Sequence, residues 1–466
     1  MPRSPGTWAT PARLVRSARL VRSAWPARLR RPAGPGRPGG LGPPAKGRAF
    51  LILWFGQFAA IAGLTVVVPL LPFYLAGLGL PPGEVAWWTG ISLAAPAVAQ
   101  LVTAPLWGMV GDRFGHKAMV VRAHAGLALA LGLMALADTP GEFLACRLLQ
   151  GACGGVVDAT ATYASTLAEP HRRGRALGGL FGATGAGSLL GPLVGSLLAG
   201  RFGFGALFGC VAVLLFAAAA LALALLPHHR PDRTWPSAGR SGDHATRRRS
   251  TLAEVIRQIL ADPRGRALVM AGLLGQTAVY ALIVVFAPQV ERITGSMSSA
   301  TVWVGALQSV TWAAALVGGP WWGRRNDRRA APGSFAIAAA CCALAVALQG
   351  IPTAPELLVP LRIVQGFCFA ALAQSVLHVV CHVVPEQARG TALGTTNGLL
   401  DVGQVCGPLL AALAAGLLPV YGTFAAIGAL LISAAGLAVL ATRRTLCPGG
   451  AGPDAVRMRP ARSEAR

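Results

Sequence analysis

The chain has 466 residues, 54% of them apolar and only 12% charged, with 41 Lys and Arg against 17 Asp and Glu and a formal charge of +24. Soluble domains carry roughly 25% charged residues, so this composition excludes an ordinary soluble enzyme and describes a membrane protein. The positive charge lies between apolar runs and is not gathered into a groove or stripe, which argues against nucleic acid as the partner.

In chain order, residues 1–48 come first, with 11 basic residues, no acid and a tandem ARLVRS at 12–17 and 18–23. They read as a basic disordered cytoplasmic tail or as residues upstream of a mis-set start codon. An Arg-rich amphipathic helix on anionic lipid and an organelle transit peptide are the alternatives. Twelve apolar segments follow, each near or above the ~20 residues that cross a ~30 Å hydrocarbon core. They run at about 50–77, 87–110, 117–137, 143–166, 174–200, 204–226, 267–290, 299–322, 331–350, 356–383, 389–418 and 420–441. Six belong to an N-terminal bundle over 49–226 and six to a C-terminal bundle over 267–441. Between the bundles, 227–266 is a polar cytoplasmic linker ending in TLAEVIRQILADPR, whose apolar spacing predicts a short amphipathic surface helix. Residues 442–466 form a second cytoplasmic tail.

The tails and alternate loops on one side hold 37 of the 41 Lys and Arg. By the positive-inside rule both termini and the linker are cytoplasmic. Eight of the nine cysteines fall within spans and no C-x-x-C occurs, so structural thiols are the reading.

An internal repeat organises the whole. PLWGMVGDR at 105–113 matches PWWGRRNDR at 320–328, and RLLQG at 147–151 matches RIVQG at 362–366, both 215 residues apart. RGRALG at 173–178 matches RGTALG at 389–394, and Gly191-Pro192 matches Gly407-Pro408, both 216 apart. Parallel six-helix halves about an axis normal to the membrane are an architecture of secondary transporters, with the cargo site near mid-depth between them. The stretch G-M-V-G-D-R-F-G-H-K at 108–117 resembles the loop motif between spans two and three of the major facilitator superfamily. R-L-L-Q-G resembles the span-four motif of that superfamily. Gly182 followed by G-P-L-V-G-S at 191–196 is similar to the span-five motif of its 12-span drug/proton antiporters, the multidrug-efflux branch. The expected fold is therefore an all-α membrane protein of 12 transmembrane helices in two pseudo-symmetric six-helix bundles, the major facilitator fold.

That resemblance implies a cytoplasmic gate built on Gly108, Asp112, Arg113 and Lys117, with a weaker copy at Asp327. The plainer reading is a topology signal. Where the family usually has Arg, this chain has His116. Arg122, with Arg113 and Lys117, is expected to meet acids or lipid headgroups. The span-five residues Gly182, Gly191, Pro192 and Gly195 are implied to seal against leak.

Charged residues inside spans cost ~2.5–3.5 kcal/mol each even on the lenient insertion scale. Four clearly lie inside: Arg147, Asp158, Arg362 and Asp401. On a continuous helix, Arg147 and Asp158 share one face with Gln150 and Gly154, which must point into the bundle. An exchanged proton needs a desolvated acid, so Asp158 and then Asp401 are the proton-coupling candidates, and the resemblance implies that Arg147 takes part. Each has a plainer reading as a hydrogen-bonded structural group. Arg362 repeats Arg147, but Ala373 stands where a second Asp158 would fall.

Isolated polar or aromatic residues in apolar helices mark a permissive cavity: Gln57, Gln276, Tyr280, Gln308, Trp312 and Gln374, unless they are helix-packing contacts. The first span has no acid, so the cargo need not be a cation. His378 and His382 have metal-ligand spacing without a completing set, and no metal or cofactor site is expected. No nucleotide-binding or hydrolase motif is present, so an ion gradient must power transport. The function expected is export of small amphiphilic molecules by proton antiport across the plasma membrane, by a monomer in the lipid bilayer. A dedicated exporter of one siderophore or antibiotic is the alternative, and a non-transporting receptor on the same fold is the third.

Overall fold

The computed structural model describes residues 43–169, 173–227, 257, 261–383 and 389–446. The compact unit is Arg48–Arg466, and of the other unit, Met1–Gly47, only the start of the first helix is described. The expected surface helix in the linker and both tails fall largely outside the described residues, as does the side chain of Asp112.

The helices are α1 Pro43–Gly77, α2 Pro82–Phe114, α3 His116–Met134, α4 Pro140–Ala152, α5 Val156–Leu167 and α6 Arg173–Leu225, then α7 Pro263–Thr294, α8 Met297–Arg328, α9 Ala331–Leu348, α10 Leu358–Val383, α11 Arg389–Leu417 and α12 Val420–Leu446. Among the described residues, ten helices are long and apolar enough to cross a membrane. One of them, the 53-residue α6, is two helices joined at Gly203, whose φ of 81° and ψ of 168° leave the helical region. The short α4 and α5 together make one further crossing. Twelve crossings result.

The sequence repeat is reproduced atom by atom. Trp107 Nε1 donates to the Ala152 carbonyl at 2.6 Å, and Trp322 Nε1 donates to that of Phe367 at 2.8 Å. Arg147 Nη1 donates to Gln150 Oε1 at 2.7 Å, and Arg362 Nη1 to Gln365 Oε1 at 3.1 Å. Gly151 lies on the backbone of Pro96 as Gly366 lies on that of Thr311, and Gly191 lies on Ala62 as Gly407 does on Thr277. Without a hydrophobic force between helices in lipid, such small residues let backbones approach closely and pack.

One span departs from the reading as a continuous helix over 143–166. The helix stops at Ala152 and restarts at Val156, with Gly155 in the left-handed region at φ 90°, ψ 28°. Glycine reaches that conformation at no steric cost, and the Gly154-Gly155 pair is the local cause. The second half has Phe369-Ala370 at the matching place, and α10 runs through unbroken. A continuous 100°-per-residue stripe therefore does not join Arg147 to Asp158.

Between the halves, α2 packs on α11 and α6 on α8. A Cβ on Gly90 would meet the Pro408 carbonyl at 2.8 Å, and one on Gly305 would strike Ser196 and the Pro192 carbonyl. Gly200 faces Val302. These approaches fall toward the ends of the spans away from the basic loops. Asp158 and Asp401, on the other side of them, stay exposed.

Candidate functional site

Among the described residues, a series of chambers lies along the interior, three of which concern the residues expected from the sequence. A central cavity of about 420 Å³ separates α1 from α7, α8 and α10, and four of the six expected residues line it: Gln276, Tyr280, Gln308 and Trp312. Gln57 does not. It is 1% exposed, its amide donating to the Leu180 carbonyl at 3.0 Å and to Thr184 Oγ1 at 2.8 Å and accepting from Thr160 Oγ1. It ties α1, α5 and α6 within one half. Gln374 is also absent from the lining. With its amide turned to donate, it bonds the Ala370 and Gly319 carbonyls, a contact between α10 and α8.

The second chamber, about 260 Å³, shares Leu64, Val68, Tyr280 and Gln404 with the first and reaches Arg147, Gln150 and Asp158. Arg147 is 2% exposed; its Nε donates to the Ser92 carbonyl at 2.9 Å. The third, about 280 Å³, runs from Asp158 along Gln100, Trp107, Gly108, Gly111, His116 and Arg122 toward the loop between α2 and α3. Asp158 lines both of these chambers. It sits in the first turn of α5, at the free N–H groups that the helix break exposes. Thus Arg147, Gln150, Gly154 and Asp158 do face one interior space, but the helix break rather than a helical stripe brings Asp158 there.

Asp401, from the opposite half, lies within electrostatic reach of Asp158 and of Tyr280. Gln404, one turn further along α11, lines the first two chambers. Two acids read separately from the sequence thus share one field across the bundle.

Arg122 was expected at acids or lipid headgroups. Instead Nη1 donates to the carbonyls of Cys153 and Gly154 at 3.0 and 3.1 Å, and the guanidinium stacks 3.9 Å over the Trp107 ring. Those carbonyls belong to the break, where no helical N–H reaches them. In the second half, Ile337 occupies the place of Arg122 and the break is missing too.

The gate residues are placed as follows. Gly115, at φ 87°, is the single residue between α2 and α3. Arg113 is exposed, 5.6 Å from the Phe114 ring, while Lys117 is buried. Gly108 is open, with nothing within 4 Å of an added Cβ. Asp327 is exposed at the end of α8, in reach of His378, and beside it Asn326 Nδ2 donates to Ser375 Oγ at 3.1 Å. In α6, Gly182 faces open space, whereas Gly191 and Gly195 are seated against Ala62 and Val66 of α1, and the Pro192 carbonyl meets Gly305 of α8. His382 Nδ1 lies 2.7 Å from the His378 carbonyl, and among the described residues no third ligand completes a metal set.

The sequence reading missed Gln365, Gln404, Phe286 and Phe369 as cavity residues; Arg362, one of the four charges it placed inside the spans, lies in the lining. The available signal for Gln365 was the repeat itself, which makes it the counterpart of Gln150 in RLLQG and RIVQG.

The model of the Major Facilitator Superfamily matches residues 53–350 and 303–454. The staphyloferrin B transporter of Staphylococcus aureus is 39% identical over 363 residues, covering 77% of this chain and 84% of that protein. The multidrug resistance protein MdtG of Enterobacter lignolyticus is 29% identical over 368 residues, covering 78% and 85%. Among solved structures, a bacterial homologue of the human lysosomal transporter Spinster, inward-facing and occupied, superposes with a TM-score of 0.70 at 16% identity, covering 86% of this chain and 98% of that one. The last likeness concerns the fold.

Proposed function

The chain belongs to the Major Facilitator Superfamily, and from that premise we propose that this multi-pass membrane protein exports a small organic molecule in exchange for protons. The observation that carries the proposal is the run of chambers in which Asp158 stands between the central cavity and the basic end, with Asp401 in its field. An acid reachable from the cargo site and from the loop side is what coupling requires: its protonation state alters the charge the cavity presents.

The basic loops orient both termini to the cytoplasm of a plasma-membrane protein. In that orientation the approaches of α2 to α11 and of α6 to α8 close the outer side, the inward-facing arrangement. Rocking of the halves moves contact to the basic end, where Gly108, Asp112, Arg113, Lys117 and Asp327 act as the gate. The seats of Gly191 and Gly195 on α1 keep α6 sealed while it moves. Arg147, bonded to Gln150 and Ser92, holds positive charge in the Asp158 chamber.

A siderophore is the first cargo class, supported by 39% identity to a staphyloferrin B transporter. Multidrug export is the second, supported by the MdtG relatives and by the aromatic and amide lining at Tyr280, Trp312, Gln276 and Gln308. Inverted vesicles with an acid lumen are expected to accumulate staphyloferrin B. Accumulation of ethidium alone would favour the second reading, and accumulation of neither would remove both.

A further inference from the structure

The two repeat-equivalent arginines differ in how their donors are spent. Arg147 places Nε on the Ser92 carbonyl and Nη1 on Gln150. Leu307 occupies the place of Ser92 in the second half, and Arg362 makes a different set of contacts. Its Nη2 donates to Gln308 Oε1 at 2.7 Å and its Nη1 to Gln365 Oε1 at 3.1 Å. The guanidinium lies 3.7 Å over the Phe286 ring, and Nε has no partner. Arg362 is 2% exposed and lines the central cavity. No acid pairs with it among the described residues.

A guanidinium carries five N–H donors that match a carboxylate in a two-pronged pair. A buried cation without a counter-charge carries an uncompensated desolvation penalty. Here amide oxygens and an aromatic face offset part of that penalty, and among the described residues no acidic side chain offsets the rest. Gln308 and Gln365 fix the guanidinium plane beside the lining rings of Phe286 and Trp312. Gln365 is itself held by Gln349 Nε2 at 2.7 Å, so the cation is braced from behind.

We propose that Arg362 is an anion-recognition residue of the central cavity, taking a carboxylate of an aromatic or amphiphilic organic acid. The proposal rests on the reading of that cavity as the cargo site, yet binding can be measured without any gradient. A carboxylate bonds Nε–H and the unspent Nη–H, while the apolar body of the molecule lies on Phe286, Trp312 and Phe369. A free metabolite and an acidic lipid headgroup both offer an anion to such a site; the size of the cavity, about 420 Å³, favours a free small molecule.

The test is equilibrium binding of naphthalene-2-carboxylate and of its uncharged amide to the full-length protein in discs of zwitterionic lipid. The protein is expected to favour the acid by about tenfold or more. Arg362→Gln should bring both probes to the affinity of the amide. Because that change touches a buried group, Gln308→Glu serves as the second variant: it sets a counter-charge against Nη2 where the native amide already bonds, and should erase the preference in a folded protein. A preference that survives in either folded variant, or its absence from the parent, overturns the proposal. Added phosphatidylglycerol should leave the affinity unchanged; displacement of the probe by this lipid would give the site to a headgroup and also overturn it. A preserved preference in a protein that moves no cargo under a pH gradient would leave the anion site standing and remove the export reading instead.

Discussion

Replacing Arg122 by Met should loosen the break in the fourth crossing. The guanidinium gives two bonds, to the carbonyls of Cys153 and Gly154, and stacks on Trp107. Two bonds from a charged donor are worth about 3 kcal/mol together and the stacking about 1 kcal/mol. Truncation also relieves the desolvation of a half-buried cation, which takes back roughly half of this, for a net loss of about 2 kcal/mol. By the tenfold-per-1.4 kcal/mol rule, the population in which the break opens rises about 30-fold. Cys153 lies in the break, packed on Gly126, so its alkylation reports that opening. In a background with the other cysteines changed to Ser, Arg122→Met should raise the Cys153 labelling rate by about that factor, and slow transport because Asp158 is carried on α5. Arg122→Lys, which keeps the charge without the planar fork, should fall between. Parent-like labelling together with parent-like transport in Arg122→Met would mean that the break holds itself and that Arg122 has no part in positioning Asp158.

Gln57→Leu removes three hydrogen bonds between α1, α5 and α6; at about 0.6 kcal/mol for each such bond in a membrane, unfolding in detergent should be easier by roughly 2 kcal/mol, with KM for cargo unchanged. A raised KM at parent stability would return Gln57 to the cavity. Gly305→Val drives a side chain into the Pro192 carbonyl and Ser196, and backbone cannot step aside cheaply, so α8 should part from α6 on the closed side. Labelling of a cysteine at Ser196 by an impermeant thiol reagent from outside should accelerate, and transport should stop in protein that still reaches the membrane. Asp158→Asn should express normally and give no cargo-driven pH change in vesicles; a parent-like signal would exclude Asp158 from coupling.

The twelve crossings were legible because hydropathy and the basic loops each mark them, and the duplication because four motifs keep one spacing. The 215-residue offset even carries the pairing of Trp107 with Ala152 over to Trp322 and Phe367. What failed was finer. Glycine is common inside membrane helices, so Gly154 read as one more residue on the stripe of a continuous helix and not as part of a break; only the absence of the Gly154-Gly155 pair from the second half hinted at it. An isolated glutamine signals burial but not which side of its helix is buried, which is why Gln276 and Gln308 line the cavity while Gln57 and Gln374 bridge helices. That Asp401 lies within electrostatic reach of Asp158 depends on how the two halves dock, which no local pattern encodes.

Inverted vesicles holding the purified protein give the most direct measurement of coupling. Cargo uptake should rise with an acid lumen, and should fall to the passive level when nigericin with balanced potassium abolishes the pH difference. Asp158→Asn vesicles should show that passive level throughout. Uptake that proceeds equally fast without any ion gradient would show that no proton is exchanged, and the assignment of Asp158 and Asp401 to coupling would then be wrong.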